Sequence, residues 1–201
     1  MSHYFENDKK LPSEIKMTTA KLNGIDFTFY TDNGVFAKKG LDYGSKLLLE
    51  ALLEENLLQK SILDVGCGYG VLGIILAKLC QAHVEMIDVN HRALHLAKKN
   101  AKENGNLPIT IYESNCYENV EKKYDVIVTN PPIRAGKKVV YEILFSAKEH
   151  LQNNGSLYFV IRKEQGAKSI ISDLKKVYDI TILNRSKGFF IIKAKTGWLV
   201  E

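Results

Sequence analysis

With 201 residues, 45% of them hydrophobic, the chain carries enough apolar surface for one good core and too little length for two full domains. Its 28 basic and 23 acidic side chains leave a formal charge of +5, which suits an anionic partner such as a nucleic acid without demanding one. Met1 to Lys16 lacks the apolar stretch of a signal peptide, and no apolar run is long enough to cross a bilayer. Cys67, Cys80 and Cys116 fit neither a disulfide framework nor a metal-ligand spacing. A cytoplasmic protein with no membrane and no metal partner is expected.

In chain order, Phe27-Thr28-Phe29-Tyr30 alternates weakly like a strand, and Gly44 to Leu58 patterns as an amphipathic helix through Leu47, Leu48, Leu52 and Leu53. We take residues 1–58 as an N-terminal cap segment packed on a core of residues 59–201, one structural domain overall. From Ser61 onward β-branched runs alternate with helical patterns, the signature of a parallel sheet covered by helices on both faces. The predicted strands are Ser61–Val65, His83–Ile87, Ile109–Tyr112, Asp125–Thr129, Ser156–Ile161, Tyr178–Leu183 and Phe189–Ala194.

Between them, Leu72, Ile75, Leu76 and Leu79 share a helix face, as do Ala93, Leu94, Ala97 and Ala101 behind an Asn90 N-cap and before a Gly105 stop. Further helices are expected over about Val139 to Leu151, closed by Asn153-Asn154-Gly155, and over about Glu164 to Lys176. The link Asn184-Arg185-Ser186-Lys187-Gly188 is too short for a crossover helix, so the last two strands form an antiparallel hairpin. The expected fold is therefore α/β, a seven-stranded, mostly parallel, Rossmann-like sheet with an antiparallel last strand. That ending separates class I methyltransferases from ordinary dinucleotide-binding folds.

Asp64-Val65-Gly66-Cys67-Gly68-Tyr69-Gly70 closes the first core strand and opens a helix, where glycines permit a sharp turn and close approach of a ligand to the backbone. Two readings compete, because Gly68 to Gly73 also spells the dinucleotide fingerprint G-x-G-x-x-G. In that fingerprint the first glycine follows the strand directly, whereas here Asp64 and Gly66 intervene. The D-x-G-x-G-x-G pattern favours S-adenosylmethionine, with Asp64 near the cationic methionine end and Gly66, Cys67, Gly68 and Gly70 lining the turn. Asp88, followed by Val89, stands about 20 residues further on, where an acid accepts both ribose hydroxyls.

After the fourth core strand comes Asn130-Pro131-Pro132-Ile133. Two consecutive prolines fix φ and donate no hydrogen bond, which leaves local carbonyls free. An amine conjugated to a base is a poor nucleophile. If the Asn130 side-chain oxygen and the Pro131 carbonyl each accept one of its N–H groups, the nitrogen rehybridises towards a methyl donor. These four residues are the expected catalytic loop, which needs no metal. His91 and His95, four apart on a helix, lack a third ligand and read as solvated residues.

Together, Gly34-Val35-Phe36, Leu41-Asp42-Tyr43-Gly44-Ser45, Asp64 to Gly70 and Asn130 to Ile133 resemble the catalytic half of the small-subunit ribosomal RNA guanine-N2 methyltransferases of the RsmC type. The resemblance implies that Phe36 packs near the methionine or adenosine and that Asn115 meets the adenine amine. It also implies methylation of guanine N2 in ribosomal RNA or the 30S subunit, and it leaves a homodimer open. Two departures stand out. Ile133 replaces an aromatic that stacks on the target base, and the family's additional N-terminal domain has no counterpart here.

Basic residues on the loops at the strands' carboxyl ends would form a phosphate-binding rim, Arg134 and Lys137 foremost, then Lys38 and Lys39, with Lys138, Arg162, Lys163, Arg185 and Lys187 behind. Two alternatives remain: methylation of a protein glutamine amide, which Asn-Pro-Pro loops also perform, and binding of cofactor or RNA without catalysis.

Overall fold

The structure is a computed structural model that describes residues 12–35 and 40–197. Two strands, β1 (Lys16–Leu22) and β2 (Ile25–Thr31), form a hairpin turned at Asn23 and Gly24, both at positive φ (47° and 77°). Then follow α1 (Tyr43–Leu53), β3 (Ser61–Val65), α2 (Val71–Cys80), β4 (His83–Asp88), α3 (His91–Glu103), β5 (Thr110–Glu113) and β6 (Tyr124–Thr129). The chain ends with α4 (Lys137–Ser146), β7 (Leu151–Arg162), α5 (Ala167–Leu174), β8 (Asp179–Ser186) and β9 (Phe189–Lys195).

Seven strands make one sheet in the order β5-β4-β3-β6-β7-β9-β8, and β9 alone points against the other six. The period of two along a strand sorts its side chains between two cores. Ile62, Met86, Val128 and Val160 face α1, α2 and α3, while Leu63, Ile87, Ile127 and Phe159 face α4 and α5. The sheet is thus buried on both faces, which explains its near-continuous apolar strands. Among the described residues no helix is long and apolar enough to cross a membrane.

The structure departs from the sequence expectations at element ends. The first helix stops at Leu53 rather than Leu58, with Leu57 buried from a turn. The helix expected to reach Leu151 ends at Ser146 and tightens into a 3₁₀ turn over Ala147–His150. Asn153-Asn154-Gly155, expected to close that helix, lies in an irregularity within β7, where the pairing register with β6 shifts. The helix expected from Glu164 is broken by Gly166 at φ +86° and begins again at Ala167. Between β8 and β9 the turn is only Lys187-Gly188, again at positive φ.

Candidate active site

The carboxyl end of β3 leads into Gly66, Gly68 and Gly70, all at positive φ (69°, 56° and 93°), a conformation that side chains with a Cβ rarely adopt. Gly66 and Cys67 N–H both donate to Ile87 C=O at 2.9 Å, so the turn is strung across the end of β4. Below it, Asp64 is 0% exposed: its Oδ2 accepts from Gly73 N–H at 3.0 Å, while Oδ1 has no partner among the described residues. Burial pushes this carboxyl up to about 7; the Gly73 hydrogen bond works against that rise and the Asp88 charge adds to it. Among the described residues Tyr69, packed edge-on against Phe29, is the other one with a buried, unpartnered polar side-chain atom.

Asp88 ends β4 with its carboxylate buried. Oδ2 accepts from Gly68 N–H at 2.9 Å and Oδ1 from Asn90 N–H at 2.8 Å. One acid therefore ties the glycine turn to the start of α3, where Asn90 caps Arg92 and Ala93 N–H. Val89 between them is half-buried.

The next strand in the sheet, β6, delivers Asn130-Pro131-Pro132-Ile133 beside this turn. A Cβ built on Gly66 would touch Pro132 Cδ at 3.8 Å, which brings the glycine turn and the proline loop into contact. Thr129 Oγ1 donates to Val65 C=O at 2.8 Å and clamps the two strand ends together. Asn130 Nδ2 donates to Ser45 Oγ at 3.0 Å, across 85 positions of sequence. This bond fixes the amide so that Oδ1, which accepts nothing from the described residues, is left as an acceptor. The Pro132 carbonyl is taken by Ala135 N–H at 2.9 Å, whereas the Pro131 carbonyl has no donor among the described residues.

Comparison with known proteins decides the family. Residues 26–193 match the model of the methyltransferase small domain. The chain belongs to that family. This methyltransferase is 44% identical over 197 residues to YbxB of Bacillus subtilis, an uncharacterized protein, covering 96% of this chain and 98% of that one. It is 36% identical over 140 residues to the ribosomal RNA small subunit methyltransferase C of Haemophilus influenzae, covering 67% of this chain and 42% of that protein. Among solved structures, the T. thermophilus 16S rRNA N2 methyltransferase RsmC, in complex with AdoMet and guanosine, is similar with a TM-score of 0.83 at 26% identity. That match covers 93% of this chain and 52% of the other. The methyltransferase thus spans about half, or less, of the length of the RsmC proteins it matches.

As a class I S-adenosylmethionine-dependent enzyme, the methyltransferase carries residues that fit its cofactor. The unpartnered Asp64 Oδ1 is a buried carboxyl oxygen short of a donor, and the turn beside it holds three glycines at positive φ, Gly66 half-buried against the proline loop. Asn115, expected at the adenine, is exposed in the turn after β5, with its Nδ2 on Glu118 Oε1 at 3.0 Å. Phe36, Lys38 and Lys39 lie outside the described residues. Arg134, in the 3₁₀ turn Ile133–Ala135, and Lys137, first residue of α4, are both exposed beside the proline loop. Lys137 Nζ lies 4.8 Å from the Tyr141 ring centroid.

Sequence reading did not find the role of Ser45. The signal was present in Asp42-Tyr43-Gly44-Ser45: Asp42 caps α1 through Gly44 and Ser45 N–H at 3.0 and 3.1 Å, which turns the Ser45 hydroxyl towards β6.

Proposed function

We propose that this methyltransferase methylates the exocyclic amine of a base in RNA, guanine N2 of small-subunit ribosomal RNA being the favoured target. The observation that carries the reading is the anchored Asn130 amide, with its oxygen and the Pro131 carbonyl unclaimed beside the glycine turn. Two fixed acceptors of this kind take both N–H groups of a planar amine and draw its lone pair out of conjugation with the ring. Solvent takes the proton lost on methylation, and none of these residues acts as a strong base. S-adenosylmethionine, when bound, supplies the electrophilic methyl group. Asp64, the glycine turn and Asp88 would hold it, Asp64 towards the ammonium group and Asp88 towards the ribose. The similarity to proteins named as small-subunit ribosomal RNA methyltransferases supports the RNA target.

Radiolabelled methyl transfer onto ribosomal RNA, 30S subunits and protein extracts tests the proposal. Label is expected in RNA and, on digestion, in N2-methylguanine; label in glutamine of protein instead would overturn it. Asn130→Ala should abolish transfer. Ser45→Ala should lower kcat by about 10²-fold with little change in cofactor affinity, because misplacing a positioned group costs that much.

A further inference from the structure

At the start of α1, two residues before the Ser45 that anchors Asn130, Tyr43 meets Phe189 edge to face, with ring centroids 5.6 Å apart and planes at 62°. Gly44 lets them meet: a Cβ there would lie 2.9 Å from Phe189 Cε1. The Tyr43 and Ser186 hydroxyls share a hydrogen bond of 2.8 Å, which locks the ring to the end of β8. Arg162, Phe189 and Ser186 lie in register across the carboxyl edge of the sheet.

Each ring carries a cation. The Arg162 guanidinium carbon is 5.0 Å from the Phe189 centroid and Lys187 Nζ is 4.8 Å from that of Tyr43. The rings are half-buried and both cations exposed. Arg162 also pairs with Glu164 at 2.5 Å, whereas Lys187 forms no ion pair among the described residues. A core would have closed over these rings. Half-buried rings overlaid by exposed, displaceable cations at the carboxyl edge of the sheet instead match what a single nucleic-acid strand requires, planar groups for base stacking, the Arg162 guanidinium included, and charge for its phosphates.

We propose that Tyr43 and Phe189, with Arg162 and Lys187, form a stacking platform for an unpaired base of the RNA strand presented to Asn130. The proposal rests on the RNA-methylating reading above. It supplies the aromatic face that Ile133 does not.

The test is binding of a fluorescein-labelled, single-stranded, guanine-containing RNA dodecamer to the full chain, followed by anisotropy, beside methyl transfer to ribosomal RNA. Tyr43→Leu and Phe189→Leu should each weaken RNA binding roughly 5- to 150-fold, the range for losing one base–aromatic stack. Cofactor affinity by calorimetry should hold. Tyr43→Phe and Phe189→Tyr, which keep a ring, should bind as the parent does, which separates stacking from a damaged fold. If the parent methylates RNA while both leucine variants bind and react as it does, the platform is wrong and the RNA reading stands. If the parent methylates glutamine peptides and not RNA, both fall.

Discussion

At the residue scale, Asp64 has its two carboxylate oxygens in unlike surroundings, one held by Gly73 N–H and the other buried without a donor. Burial raises this group from 3.8 to about 7, so below neutrality the free protein holds a proton there that a bound ammonium group would expel. Cofactor affinity should therefore rise from pH 5.5 towards about 7 and then level off, with proton release visible by calorimetry in buffers of different ionisation heat. Asp64→Asn should bind more weakly and lose this pH dependence. The folded-state value is raised, so the stability Asp64 contributes is complete below pH 3.8 and is lost as pH rises through about 7. Urea unfolding should accordingly find the asparagine variant more stable than the parent at pH 8, with the gap closing towards pH 5. Equal pH profiles for the two proteins would exclude Asp64 as the titrating group.

At the element scale, the hairpin is fastened to α3 by two asparagines four residues apart. Asn100 accepts from Tyr30 N–H at 2.7 Å and donates to Tyr30 C=O at 3.0 Å, and Asn104 does the same for Thr28 at 3.1 and 2.7 Å. The spacing works because four helical residues rise about 6 Å and two strand residues about 6.6 Å. Asn100, 0% exposed, also donates to Tyr69 C=O at 2.8 Å, so the hairpin and the glycine turn share one amide. Asn100→Ala leaves several buried backbone groups unpaired and should cost about 2–4 kcal/mol in urea unfolding while weakening cofactor binding. Asn104→Ala should cost stability alone.

The same elements show what sequence reveals. The parallel strands and both site loops were legible because each carries its own signal, a β-branched run, a glycine series or a proline pair at a strand end. β1 was not, since its inward positions Thr18, Ala20 and Leu22 alternate with exposed ones but the first two are too small or polar to show as an apolar period; the Asn23-Gly24 turn was the signal for it. The parts played by Ser45, Gly44 and Asn100 depend on partners 31 to 145 positions away, and no local pattern encodes them.

At the scale of the whole molecule, the strands' carboxyl ends gather the glycine turn, the proline loop and exposed Arg134 and Lys137 along one edge, where open α/β sheets bind their ligands. Replacing Arg134 and Lys137 together by glutamine should weaken RNA binding across sequences. It should also flatten the slope of log affinity against log salt by about 1.4, as expected for two contacts to single-stranded phosphates. Cofactor affinity should not move, and an unaltered salt slope would exclude both residues from the RNA contact. The two lateral margins of the seven-stranded sheet behave differently. On one side β5 has only four residues; on the other, β8 has a register shift at Leu183 and exposes Asp179, Asn184 and Arg185. Short, kinked and charged borders offer a passing chain poor terms for β-augmentation, so this sheet resists edge-to-edge polymerisation.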